Sequence, residues 1–297
     1  MDPIEVIDMC LVASERGMPS DASVPFVFSR GDYEQAWRRD PKRVRASLDA
    51  IMCGEHVSDG LEMLLRFGVF RALIPEICGI KNLGDADGMH KDVWTHTKSV
   101  VAGVPASPDL RWGALFHDIG KAPTRRIENG KVTFHNHDLV GARMVDRIQS
   151  RTGLFNDDMV LFTTIKHLVL EHLRPASYNK EWTDSAVRRL ITECGDPAFF
   201  EKLMFLSRAD LTTKRDSKRM SAMRRAAELE ERVRVVRESD SAPRLPKGTM
   251  GTILERVGAK PGKWTNELRE KLESMMSSGD LEAGREPSRG ERPRPDN

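Results

Sequence analysis

The sequence holds only four cysteines, Cys10, Cys53, Cys78 and Cys194, and no two of them form a Cys-x-x-Cys pair. That scatter excludes a zinc knuckle and a disulfide framework and suits a reducing compartment. Long hydrophobic runs are absent as well: Arg66, Arg71 and Glu76 interrupt even the richest stretch, Leu61 to Ile80, so no membrane span is expected. Met1 to Met18 lacks a basic n-region and carries Glu5, Asp8 and Glu15, which points away from a secretory signal and towards the cytoplasm. Charge of either sign is in no great excess. With a net charge of +2, affinity for nucleic acid has to come from local patches rather than a global field.

Strand-like alternation is also scarce. Apolar residues recur instead at three- and four-residue spacing, which predicts an all-α fold. Helices are expected from about Pro41 to Met52, Ser58 to Arg66, Val93 to Val104, Leu110 to Phe116, Asp138 to Ser150, Asp157 to His172, Ser185 to Glu193 and Phe199 to Leu211, with a longer one from Ser217 to Arg237. Lys131 to Phe134, after the Asn129-Gly130 turn, is the one strand candidate. Pro243 and Pro246 mark a linker before a last helical unit, Gly248 to Ser278, and the Gly, Arg, Glu and Pro composition beyond it predicts a disordered tail. The resulting division is a helical neck-like region at 1–85, a central helical bundle at 86–216, a C-terminal helical region at 217–282 and a tail at 283–297. At 297 residues the chain can bury its own core without a staple.

What is present is a set of metal-binding side chains on apolar helix faces. The run Ala114-Leu-Phe-His117-Asp118-Ile-Gly120-Lys121 ends an apolar helix on adjacent His and Asp. An imidazole with a carboxylate suits borderline divalent ions. Alone, such a pair is more often a surface feature. His96, however, shares a face with Val93 and Val100; Asp210 follows Leu203 and Leu206; and His172 continues Leu161, Ile165 and Leu168. His167 falls on the opposite side and should be exposed. Buried carboxylates and imidazoles are costly unless paired or metal-bound, and one ion accounts for His96, His117, Asp118 and Asp210 together.

Several strings then carry a resemblance. They are GLEMLLRFG at 60–68 with Leu73-Ile-Pro-Glu76, His90-Lys-Asp-Val-Trp-Thr-His96-Thr97, His117-Asp118-Ile-Gly-Lys121-Ala-Pro-Thr124, Phe134-His-Asn-His137 with Gly141-Ala142, Glu171-His172-Leu-Arg174-Pro175, Arg208-Ala-Asp210 and Gly258-Ala-Lys-Pro-Gly262. Their order resembles the HD superfamily of metal-dependent phosphohydrolases. More closely, residues from about Asp40 to Leu281 are similar to the neck, body and HD domain of bacterial CCA-adding tRNA nucleotidyltransferases. The Gly-Ser turn and paired Asp residues of that family's catalytic head are missing from Met1 to Asp40, so nucleotide addition is not expected unless a partner supplies the head.

The resemblance implies an HD-domain bundle with neck-like and C-terminal helical extensions, and a divalent ion, Mn, Ni, Co, Fe, Zn or Mg, held by His96, His117, Asp118 and Asp210 to activate water against phosphorus. His137 and His172 match the positions that add a second ion, Asp118 then bridging the two; with one ion they would instead contact phosphate or protonate a leaving group. Lys121 and Arg174 are candidates to hold a substrate phosphate, the plainer role for Arg174 being a surface ion pair. His90 and His135 could support the site, although His135 is expected to be exposed, and His56 is expected on the surface. Two basic clusters could meet RNA, with tRNA among the candidates: Arg38, Arg39, Lys42, Arg43 and Arg45, and Lys214, Arg215, Lys218, Arg219, Arg224 and Arg225. The expected activity is hydrolysis of RNA 2′,3′-cyclic phosphate ends or of small nucleotides bearing that group. The alternatives are a nucleotidase or a phosphodiesterase of cyclic signalling nucleotides, and a non-catalytic RNA-binding protein.

Overall fold

The computed structural model describes residues 2–18, 28–81, 83, 92–211 and 216–281. His90, Lys214, Arg215 and the tail at 283–297 lie outside them. By its contacts the chain forms two compact units, Met1–Glu231 and Arg232–Asn297. In the first, α1 (Pro3–Arg16), α2 (Arg30–Arg39), α3 (Pro41–Cys53), α4 (Val57–Arg66), α5 (Val69–Leu73) and α6 (Pro75–Ile80) precede α7 (Val93–Gly103), α8 (Pro108–Phe116) and α9 (Lys121–Thr124). A hairpin of β1 (Arg126–Glu128) and β2 (Lys131–Thr133) leads to α10 (His137–Thr152), α11 (Met159–Glu171), α12 (Asp184–Cys194) and α13 (Pro197–Ala209). The helix α14 (Asp216–Ser241) runs from the first unit into the second, where α15 (Thr249–Arg256) and α16 (Lys263–Ser278) follow. The expected all-α architecture is what forms, the hairpin being the only sheet among the described residues.

Local chemistry explains most helix starts. Asp92, Asp158, Thr183 and Asp196 each accept a hydrogen bond from the backbone N–H three residues on, opening α7, α11, α12 and α13. The apolar spacing places no helix before Pro41, yet α1 and α2 are present. The signal for α1 was a capping box between Asp2 and Glu5 with Pro3 in the first turn, a short-range feature rather than a periodic one. Lys131 to Thr133 is a strand as expected, but it needed a partner, and Arg126–Glu128 supplies it in antiparallel register. In the second unit the expected single stretch is two helices, broken where Gly258 takes φ 63° and Pro261 follows. The long helix outlasts its expected end and stops at Ser241 before Pro243.

The core of the first unit centres on α8, whose Trp112, Ala114, Leu115 and Phe116 are all but fully buried. It lies close to α11, because a methyl group on Gly113 would come within 2.9 Å of Leu168. The N-terminal helices are tied to this core by polar links. Trp112 donates its indole N–H to Asp49 at 2.7 Å, and Asp49 accepts both bonds from Arg45 Nε at 2.9 Å. Arg45 reaches the Leu154 carbonyl at 2.6 Å and stacks over Phe155. Trp37 bonds the Thr152 carbonyl at 2.9 Å. Together these hold the end of α10 against α3 and so steady the helix that begins at His137.

Candidate metal centre

Four helix ends deliver the site. The apolar helix α8 stops at Phe116, and His117 to Gly120 continue as turns before α9. Adjacent side chains on a regular helix diverge, but this turning segment lets His117 and Asp118 face one point. Gly120 is required there by close approach: a methyl group on it would lie 2.0 Å from the His137 carbonyl oxygen and 2.7 Å from the Gly141 nitrogen. His137 begins α10 behind Asn136, which adopts the left-handed conformation. His172 follows the last residue of α11 and Asp210 the last of α13. His96 projects from the middle of α7, its side chain 12% exposed, between the buried Val93 and Val100.

The donor atoms converge. Asp118 Oδ2 stands 3.1 Å from His117 Nε2 and 3.4 Å from His96 Nε2. Its other oxygen, Oδ1, is 3.4 Å from His137 Nε2. Asp210 Oδ1 lies 3.0 Å from His96 Nε2 and 3.7 Å from His117 Nε2. Two sets of side chains, His96 with His117 and Asp118, and Asp118 with His137 and His172, each bring their donor atoms within 4.8 Å of one another. The shared carboxylate divides its two oxygens between them. All six of these residues are ones singled out from the sequence.

Backbone carbonyls set the histidine tautomers. His117, His137 and His172 place Nδ1 at 2.7, 2.8 and 2.7 Å from the carbonyls of Ala114, Phe134 and Val169, each three residues earlier. A carbonyl can only accept, so each Nδ1 carries a hydrogen and Nε2 is left as the atom that faces the centre and can offer a lone pair. His137 and His172 bring their Nε2 atoms to 3.3 Å of each other, as do His96 and His117. Once unprotonated, nitrogens at that separation repel through their lone pairs, and a divalent cation among them turns the repulsion into coordination. The donor set, imidazole nitrogens with carboxylate oxygens, therefore fits a borderline divalent ion.

Electrostatics agree. Burial alone would raise Asp118, but the surrounding His117, His137 and His96 rings hold it well below the ordinary carboxylate range. Asp210 is likewise lowered, burial being outweighed by His96 and His117. Burial, with the neighbouring His117, pushes His172 down to about 4, which keeps it neutral and ligand-ready at physiological pH. Burial also works against a charge on His96, yet Asp118 and Asp210 overcome it and raise this histidine to about 9.

The remaining expected positions divide. Lys121 Nζ sits 2.7 Å from Asp118 Oδ2, inside the cluster. Arg174 pairs with Glu193 and stands 3.6 Å from Glu171, the arrangement of an ion pair. His135 is exposed beside Glu128, and His56 is exposed. His167 is not on an open face: it is half-buried and stacks on Phe199 with ring centres 4.0 Å apart, because α13 crosses a face that periodicity on α11 alone leaves free. In the first basic cluster Arg39, Arg43 and Arg45 are engaged by Asp2, Asp8 and Asp49. In the second, Lys218, Arg224 and Arg225 are exposed on α14. The orienting carbonyls and Gly120 were not foreseen; their only trace in the sequence is the glycine after His-Asp.

Comparison with known proteins follows the same residues. Residues 93–242 match the HD domain. The chain is 26% identical over 248 residues to an A-adding tRNA nucleotidyltransferase of Deinococcus radiodurans, covering 81% of this chain and 55% of that protein. It is 34% identical over 121 residues to a CC-adding tRNA nucleotidyltransferase of Thermus thermophilus, 38% of this chain and 27% of the other. A bifunctional uridylyltransferase/uridylyl-removing enzyme of Corynebacterium glutamicum is 30% identical over 223 residues, 68% and 30% respectively. The chain thus spans about half or less of the length of these relatives. Among the described residues no helix is long and apolar enough to cross a membrane. Since the family match takes in half of the chain and every helix end that meets at Asp118, the chain belongs to the HD-domain family.

Proposed function

We propose that this chain is a metal-dependent phosphohydrolase acting on RNA 2′,3′-cyclic phosphate ends or on small nucleotides with that group. The observation that carries the reading is the single carboxylate of Asp118 shared between two histidine sets. His96, His117, Asp118 and Asp210 would hold one divalent ion, and His137 and His172 with the second oxygen of Asp118 would hold another. When bound, such ions lower the pKa of a water molecule and offset phosphoryl charge.

The chain's own groups do the rest. The carbonyls behind His117, His137 and His172 hold these three rings with Nε2 turned to the centre. Lys121 spends one of its three donors on Asp118 and has others for a phosphate oxygen, which makes it the principal phosphate-holding residue. Arg174, tied to Glu193 and Glu171, would hold phosphate only by leaving them. Neutral His172 with its hydrogen on Nδ1 has a lone pair to give and no proton to deliver, which favours a ligand role over that of a general acid.

RNA as substrate is supported by the relatives named for tRNA and by the exposed cations of α14. Phosphodiester hydrolysis is supported by the relative named in part for uridylyl removal. The test is an assay of 2′,3′-cyclic nucleotides, 3′,5′-cyclic nucleotides, nucleoside mono- and triphosphates and 2′,3′-cyclic-ended RNA across Mg, Mn, Co, Ni and Zn. Metal-dependent opening of the 2′,3′-cyclic substrates is expected, lost when both His117 and Asp118 are replaced by Ala. Turnover that survives the double replacement sinks the proposal. Selective hydrolysis of monophosphates or 3′,5′-cyclic nucleotides would identify a nucleotidase or a signalling phosphodiesterase instead. Tight tRNA binding by metal-free protein with no turnover would mark a non-catalytic RNA-binding protein.

A further inference from the structure

Between Asp118 and His137 the chain carries an aromatic ring, and a cation across from it, that the metal centre does not use. The Phe134 ring is half-buried, and its centre lies 5.7 Å from Lys121 Nζ, which in turn is 2.7 Å from Asp118 Oδ2. Those two separations in series keep the ring close beside the shared carboxylate. The main chain of Phe134 is separately engaged, its carbonyl holding His137, so ring and backbone have distinct duties. Across the hairpin, Arg126 is the register partner of Thr133, so continuing that register sets Arg125 opposite Phe134 and on its side of the ribbon, with Arg126 on the other side. Neither guanidinium has an ion-pair or hydrogen-bond partner among the described residues, although Lys121 and Glu128 nearby are both paired.

A half-exposed flat ring with an unpaired guanidinium on its side of the hairpin, at the edge of a phosphate-processing centre, suits a ligand that is both aromatic and anionic. We infer that Phe134 and Arg125 form a nucleoside subsite: the base stacks on the ring while the Arg125 guanidinium faces the sugar-phosphate. The subsite rests on the hydrolase reading and supplies what that reading lacks, a physical reason for nucleotides to be preferred over phosphate esters without a base.

Isothermal titration of the full chain loaded with manganese, using 3′-AMP and ribose 5-phosphate, tests it. The wild type is expected to bind 3′-AMP more tightly than ribose 5-phosphate. Phe134→Ala is expected to weaken 3′-AMP about tenfold while leaving ribose 5-phosphate as it was, and Phe134→Tyr to keep the preference. Arg125→Ala should weaken both ligands and flatten their salt dependence, whereas Arg126→Ala should change neither ligand's affinity by more than about twofold. Unchanged 3′-AMP affinity in Phe134→Ala overturns the subsite, as does an equal loss of both ligands. A wild type that binds both ligands equally overturns the subsite and leaves the hydrolase reading standing; one that binds neither overturns both.

Discussion

Asp118 gives one oxygen to His96 and His117 and the other to His137, so its loss should empty both sides of the centre. Asp118→Ala is expected to purify without divalent metal and to lose at least about a hundredfold in turnover, since even groups behind a ligand are worth that much. His172→Ala should retain one ion, because His96, His117 and Asp210 stay in place. Elemental analysis of the purified variants distinguishes the two outcomes. The raised His96 adds a pH dependence. In the metal-free protein it keeps its proton up to pH about 9, and that proton has to leave before Nε2 can coordinate. The His96 contribution therefore weakens metal affinity as pH falls below about 9, and uptake at pH 7.5 should release about one proton from this ring. Titration in two buffers of different ionisation enthalpy measures it.

For the elements, the decisive contact is between the start of α9 and the start of α10. Gly120→Ala would push a methyl group into the His137 carbonyl, which belongs to backbone and cannot swing aside. A cost of about 1–3 kcal/mol is expected, with the His137–His172 side losing metal before the His96 side. Thermal unfolding and metal content measured on the same sample check both parts. This contact also shows how far helix patterns carry. The faces of His96, His172 and Asp210 were legible because Val93, Leu168 and Leu206 repeat beside them at helical spacing and are buried as that spacing requires. His167 was misplaced because its partner Phe199 lies 32 positions away by sequence number, on a helix whose crossing no local pattern encodes. The short α1 and α2 escaped periodicity, and their caps were the better signal.

Across the first unit, Asp49 ties the N-terminal helices to the core helix. It receives Trp112 of the core helix and Arg45, which continues to Leu154. Asp49→Ala leaves a buried indole N–H and a half-buried guanidinium without their acceptor, and should cost about 1–3 kcal/mol. Metal stoichiometry should survive, since no donor atom is touched; denaturant unfolding with and without EDTA separates the two. Added Mn should raise the wild-type unfolding temperature by mass action, and the increase should vanish in Asp118→Ala, as followed by circular dichroism.

By itself the sequence determined the helical class, which histidines and aspartates lie on inward helix faces or at helix ends, and the family they belong to, because those depend on residue types and on spacings within single helices. Only the tertiary structure decided that Asp118 serves both histidine sets, that Lys121 joins them while Arg174 is held by Glu193, and that carbonyls of Ala114, Phe134 and Val169 aim the rings. The reason is physical. The site is a matter of ångströms between atoms far apart in the chain, 21 residues for His96 with His117 and 114 for His96 with Asp210. No periodicity within one element records where another element will pack.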